Sequence, residues 1–426
     1  MVQKTKKAKS QTNKSKVGDT SVPRILYVSN SFNINTGYAS CVRNFCNRLG
    51  EHFWVSHVGQ QQAGAPFKPE GFNFDVFPYV DGPINLLQTY INNFKPAAVI
   101  IQDDSFTSIR DGLQNIDFGS AKLIGYWPHD GELMANCSKP VIDKCDVIVA
   151  MTEFGKKKFE EEGYENVRVI HHGTDEKVFK PLSEPEKQDR RVKIQTFLNK
   201  LNKTDFSLEN KFVVYSTGRN TLRKQWVNLL RSWCKFAEGK DDVSLVINSI
   251  NYTQHDQNIL DWIERTIPKI EGTKGDEVKN GKVIFFPAQT YSRGVPVQMI
   301  SDLTAMSDAT LFSALGEGFG MCISESIFSK VPVISHDYTT PKYLVGDDKG
   351  FLFGSGEWFV GGWGIPHRQP DVKQGTAALE KAYALWKKGE LKGKFDVGCD
   401  KFIKENTWDK TAEKWVELIK EVVDGN

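Results

Sequence analysis

At 426 residues the chain is too long for one small hydrophobic core, so two domains are expected. With 39% hydrophobic and 25% charged residues it reads as a soluble globular protein, and its net charge of +2 argues against nucleic-acid binding driven by overall charge. No apolar run reaches the roughly 18 residues that cross a bilayer, no secretory signal is seen, and seven cysteines without a Cys-x-x-Cys pair point to reduced thiols in a cytoplasmic protein and to no zinc site.

Residues 1–22 carry six lysines and one acid among polar residues and read as a disordered basic tail. Either it is a solubilising extension or it attracts an anionic surface, so peripheral membrane contact stays open. Arg24 to Ser29 is a buried strand, Asn30 to Gly37 a polar loop, and Tyr38 to Leu49 a helix with Val42, Phe45 and Leu49 on one face. Phe53 to Val58 is the next strand. This opening suits a doubly wound domain whose ligands gather at the carboxyl ends of its strands, although Gly-x-Gly-x-x-Gly is absent. Further strands are read at Ala97 to Ile101, Lys122 to Trp127, Asp146 to Met151 and Val167 to His171. A helix from Glu153 to Glu162 has Thr152 as its candidate cap. After Trp127 comes the polar cluster Pro128-His129-Asp130-Gly131-Glu132. His129 there is either a satisfied structural group or a cleft residue. His171 and His172 fall in an interdomain turn. Residues 182–210 are polar and read as a linker.

The second half restarts with the strand Phe212 to Ser216, followed by the basic loop Thr217-Gly218-Arg219-Asn-Thr-Leu-Arg223-Lys224 and a helix from Gln225. Fixed cations between a strand and a helix make a candidate phosphate site. Strands are read at Val243 to Asn248, Val283 to Phe286, Ala309 to Ser313, Val331 to Ser335 and Phe351 to Phe353. Between two of them lies Ser313-Ala-Leu-Gly-Glu317-Gly318-Phe319-Gly320-Met321-Cys-Ile-Ser-Glu325. Its glycines permit a close-approaching loop, and a helix head from Met321 to Ser329 offers free amides. Helix arithmetic sets the two glutamates about 80° and about 12 Å apart, too far for one catalytic dyad. Trp358 to Trp363 is an aromatic–glycine insertion, read as a lid, an acceptor platform or plain surface packing. Helices from Asp371, Asp396 and Thr407 close the chain.

Glu317-x7-Glu325 with its inner Gly-Phe-Gly, followed by Val331-Pro-Val-Ile334, resembles the donor-site motif of family 4 glycosyltransferases (glycosyl transferases group 1). The resemblance spans roughly residues 24 to 424. It implies a GT-B fold: an α/β chain with two Rossmann-like domains facing a cleft and a last helix returning to the first domain. The domains would be 23–181 on the acceptor side and 182–395 on the donor side, with 396–426 crossing back. It implies that Glu317 and the amides of Gly318, Phe319, Gly320 and Met321 hold the donor sugar, and that Glu325 takes the ribose hydroxyls. Arg219 and Lys224, after Gly218, match the family's diphosphate cations. Gly37 matches one of two adjacent glycines, the other being Thr36 here. His129 matches a histidine that faces the donor hexose. Two further departures are Gln225, where a glycine usually follows the lysine, and Asp337 to Lys342, where the family has a glycine pair and Pro-Glu. Pro287-Ala-Gln289 falls where the family's loop meets the base.

The implied reaction is transfer of a hexosyl group from a UDP- or GDP-hexose to a hydroxyl of a glycan or other acceptor, with retained configuration. No Asp-x-Asp metal site is seen, and the nucleotide sugar is a co-substrate rather than a cofactor, so metal-independent turnover without a cofactor is expected. A nucleotide-sugar binding module that lost turnover is the alternative. A pyridoxal-dependent phosphorylase is a third reading, without a lysine site to support it.

Overall fold

The computed structural model describes residues 22–34, 36–79, 84–106, 112–250, 258–286 and 294–425. The basic tail through residue 21 and Pro287 to Gln289 lie outside the described residues. Seven short apolar runs build the first sheet: β1 (Arg24–Asn30), β2 (Trp54–Gln60), β3 (Phe74–Tyr79), β4 (Ala98–Gln102), β5 (Lys122–Trp127), β6 (Val147–Ala150) and β7 (Val167–Val169). They lie in the order β3-β2-β1-β4-β5-β6-β7, and every pairing is parallel. Parallel strands covered on both faces need apolar residues on both faces, which is why β4 is buried at all five positions. The strand order reverses between β1 and β4, and the crevice outside their carboxyl ends is where such sheets take ligands.

The second sheet repeats this plan with β8 (Phe212–Thr217), β9 (Val243–Asn248), β10 (Val283–Phe286), β11 (Ala309–Phe312), β12 (Val333–His336) and β13 (Gly350–Phe353). Its order is β10-β9-β8-β11-β12-β13, again parallel, with the reversal between β8 and β11. The expected pair of Rossmann-like domains is therefore present. The segment after β13 is an antiparallel hairpin, β14 (Ser355–Val360) and β15 (Pro366–Pro370).

The segment expected as a linker differs. Residues Glu184–Asn202 form a 19-residue helix, opened by a Ser183–Glu186 capping box. Its inner face is thin, with Arg191, Ile194 and Leu198 buried. Arg191 is hydrogen-bonded to Asp308 Oδ2 at 2.7 Å and to the Met306 carbonyl at 2.9 Å. A cation in a core position hides the hydrophobic period. Strand β3 also escapes the sequence reading. It carries Pro78 and sits at the sheet edge, where a missing N–H is tolerated.

The last helix, Trp408–Asp424, is capped by Thr407 and returns to the first domain. Trp415 is fully buried there, with its ring 4.9 Å from both Phe45 and Tyr126. Arg48–Asp409 at 2.6 Å and Arg168–Glu421 at 2.7 Å flank it. The chain passes Gly173 so closely that a Cβ there would lie 2.4 Å from Trp408 Cα.

Candidate functional site

The site grows from the loop between β11 and the helix Met321–Phe328. A Cβ on Gly316 would fall 1.8 Å from the carbonyl oxygen of Asp130, and one on Gly318 would fall 2.4 Å from Pro128 Cβ. Both glycines are needed because this loop of the second domain presses on the loop after β5 of the first. Gly320, at φ +89°, makes the turn into the helix. Side-chain bonds cross the same seam: Thr152 to Thr340 at 3.1 Å and Thr174 to Ser324 at 2.6 Å. Within the second domain the Glu317 amide donates to Thr339 Oγ1 at 3.2 Å. Phe319 is core rather than lining. Its ring lies 4.7 Å from His172, which bonds Tyr126 at 2.7 Å, so only its backbone remains for a ligand. His171, the other turn histidine, bridges Asn406 and Glu153 at 2.9 and 3.0 Å.

Glu317 is gripped by two cations. Lys224 Nζ bonds its Oε1, and Arg223 Nη1 bonds its Oε2 at 2.9 Å and the Gly316 carbonyl as well. Arg223 also reaches across the cleft, with Nε 3.7 Å from Asp130 Oδ2. Burial pushes the Glu317 carboxyl up, but Lys224 and Arg223 outweigh it and hold the group at about 2. Of the two cations matched from the family motif, only Lys224 stands here. Arg219 points to solvent, and its backbone carbonyl accepts from Trp226 Nε1 at 3.1 Å. Arg223 takes the second place, although nothing in its spacing marks it. Gly218 lies beside the Lys224 side chain, where a Cβ would be 3.5 Å from Cδ.

The departures from the family pattern have local explanations. Gln225 keeps the left-handed turn at φ 52° that a glycine would make freely. Its side chain donates to the Leu222 carbonyl at 2.9 Å and accepts from Asn228 at 2.7 Å, offsetting a strain of roughly 1–2 kcal/mol. Thr36 is an extended N-cap whose Oγ1 accepts from the Ala39 amide at 3.1 Å. Gly37 begins that helix and faces the other domain, since a Cβ would sit 3.3 Å from Met321 Sδ. Lys342 is exposed, 3.9 Å from Asp337.

Glu325 lies in the helix, whereas Glu317 lies in the loop before it, so the helix arithmetic over their spacing does not apply. They are kept apart by environment instead. The Glu325 carboxylate makes no hydrogen bond or ion pair among the described residues. Burial alone pushes it up to about 7. Cys322 and Tyr215 are the titratable groups beside it.

His129 is 8% exposed, with its ring 6.0 Å from Phe154 and 5.6 Å from Phe159, and its Nε2 has no hydrogen-bond partner among the described residues. Burial lowers its pKa against the pull of Asp130, so the imidazole is neutral at pH 7. It is Asp130, the next residue of that polar cluster, that faces Arg223. On the same wall Tyr38 donates to Asp104 at 2.9 Å, and burial raises the Asp104 carboxyl. The hairpin β14–β15 closes one side. A Cβ on Gly131 would meet Ile365 Cγ2 at 2.3 Å, and the Glu132 amide donates to the Pro366 carbonyl at 3.1 Å. On the hairpin, Arg368 stacks 3.8 Å over the half-exposed Trp358 ring. Among the described residues no cluster of three or more His, Cys, Asp or Glu is arranged to hold a metal, and no helix is long and apolar enough to cross a membrane.

This geometry, two Rossmann-like domains meeting over a glycine loop with paired cations, defines the class of fold. Residues 279–359, which include that loop and both glutamates, match the family model described as Glycosyl transferases group 1. Sucrose-phosphate synthase (tll1590) from Thermosynechococcus elongatus is similar with a TM-score of 0.70 at 12% identity, over 95% of this chain and 100% of that one. Anabaena Alr3699/HepE in complex with UDP-glucose gives 0.67 at 14% identity, over 95% and 100%. The apo form of the lipopolysaccharide outer core galactosyltransferase WaaB gives 0.61 at 12%, over 94% and 99%. The shared architecture is the GT-B fold. No curated protein sequence matches the chain.

Proposed function

We propose that the chain is a retaining glycosyltransferase that moves a hexosyl group from a nucleoside diphosphate sugar to a hydroxyl acceptor. The observation that carries this reading is the cation pair on Glu317 at the glycine loop, inside the segment that matches the family model. Breaking the sugar–phosphate bond leaves negative charge on the diphosphate, and preorganised cations and amides stabilise it most when water is excluded. Lys224 and the amides of Gly318, Phe319, Gly320 and Met321 serve this end. The acceptor oxygen forms the new bond to the anomeric carbon as the bond to the diphosphate breaks, and the acceptor proton passes to the leaving phosphate. Glu317 orients the sugar hydroxyls, and Glu325, half-buried and without a side-chain partner among the described residues, accepts from the ribose. His129 and Gly37 complete the first domain's wall, and Arg219 takes a diphosphate oxygen once donor binds. The protein cations neutralise the leaving group, so turnover needs no metal. UDP-glucose is the first donor to try, because HepE is described in complex with it.

A nucleotide-sugar binding module that lost turnover is the second reading to be tested. A thermal-shift panel of UDP- and GDP-hexoses, run with assays of nucleotide release, tests both. A donor at 100 times its Kd should add about 2.7 kcal/mol of stability. Stabilisation with release supports the transferase, and stabilisation without release supports the binding module. No stabilisation by any nucleotide sugar contradicts both.

A further inference from the structure

Arg223 belongs to no motif, yet its side chain joins the glycine loop to the first domain. Its backbone carbonyl accepts from the Leu315 amide at 2.7 Å, which ties it to the start of the glycine loop. Its guanidinium serves the Gly316 carbonyl, Glu317 Oε2 at 2.9 Å and, from the other domain, Asp130 Oδ2 at 3.7 Å. Lys224 is a compact point charge on the other Glu317 oxygen. One ammonium cannot stay centred on both a carboxylate and an incoming diphosphate. A guanidinium presents donors on three nitrogens in a rigid fork, and so can hold two partners at once.

We propose that Arg223 is a positioning residue: it keeps Glu317 in place while Lys224 serves the diphosphate, and its contact with Asp130 makes that placement depend on closure of the two domains. This rests on the transferase reading above. With Arg223 committed to Glu317 and the Gly316 carbonyl, its loss should fall on turnover rather than on nucleotide affinity. Lysine cannot replace it, because an ammonium lacks the second arm. Asp130 reaches Glu317 through Arg223, so removing it from a protein that already lacks Arg223 should add nothing to the misplacement of Glu317.

The test uses full-length Arg223→Ala, Arg223→Lys, Asp130→Asn and the Arg223→Ala/Asp130→Asn pair. UDP release from UDP-glucose, with water as acceptor, gives kcat, and calorimetry with UDP gives Kd. Arg223→Ala should lower kcat about tenfold or more while UDP Kd stays within about twofold. Asp130→Asn should lower kcat several-fold, and the double variant should match Arg223→Ala alone. A UDP Kd weakened as much as kcat/KM would overturn the proposal by making Arg223 a nucleotide ligand. Independent multiplication of the two effects would overturn the coupling to Asp130. Should Arg223→Ala not fold, Arg223→Lys decides: lowered kcat with intact UDP Kd supports the fork, and wild-type kcat overturns it. UDP binding and release by the wild-type protein report on the transferase reading itself, separately from the split seen in the variants.

Discussion

Glu317 and Glu325 are the same residue type in opposite surroundings, and the contrast sets their testable behaviour. Glu317 is ionised down to about 2 by Lys224 and Arg223, so its charge is constant through the working range. Glu325 titrates near 7 in the fold against 4.5 for an unburied glutamate. Between those values the folded state binds the extra proton, so its contribution to stability falls as pH rises through the window. A ribose that donates to the ionised form reverses that penalty. UDP affinity should therefore rise several-fold from pH 6 to pH 8, and Glu325→Gln should flatten the rise while weakening binding overall. Calorimetry across that range checks it, and a slope that survives in Glu325→Gln assigns the titration elsewhere. Glu317→Gln should instead leave UDP binding nearly intact and lower kcat, as measured by steady-state release from UDP-glucose.

At this scale type and spacing pointed to Lys224 and Glu317, which the fold brings into contact. The sequence was not legible where a side chain's direction decides. Arg219 and Arg223 are both arginines of one loop, and only the fold turns the first to solvent and the second onto Glu317. His129 and Asp130 are neighbours, and the chain buries one ring against Phe159 while facing the other carboxylate across the cleft.

Among elements, the glycine loop is as much a contact surface as a ligand cradle. Gly318→Ala puts a methyl where Pro128 Cβ stands 2.4 Å away, so the two loops must part. The expected outcome is a lowered kcat with a larger radius of gyration by small-angle scattering in the presence of UDP. An unchanged radius with wild-type turnover would show that the seam is not needed. Most strands were readable because their signals are local, and so was one cap: Thr152 accepts from the Gly155 amide at the start of the helix Glu153–Glu161. The helix Glu184–Asn202 was not, because its buried face carries Arg191 and its other faces are charged. The Trp358 insertion could be seen in composition, but not the hairpin pairing that seats it on Gly131.

For the whole molecule, the last helix is the strap between two otherwise separate sheets. Trp415 lies between Phe45 and Tyr126 of the first domain, and Trp415→Ala should cost about 3–5 kcal/mol in denaturant unfolding. A loss under about 1 kcal/mol would mean that the strap is not part of the first domain's core. The two-domain plan was legible from length, apolar runs and the order of motifs. How closely the domains meet was not, since no local pattern reports that Gly316 touches the Asp130 carbonyl.

Release of nucleoside diphosphate from a UDP-hexose, measured for the wild-type protein and Lys224→Ala with and without EDTA, tests the central claim most directly. Release by the wild type should survive EDTA. Lys224→Ala should lower kcat/KM by roughly one to two decades, the loss of one charge-assisted contact of about 1.5–3 kcal/mol. Equal release by the variant, or complete loss on chelation with recovery on added Mg²⁺ or Mn²⁺, would contradict that claim.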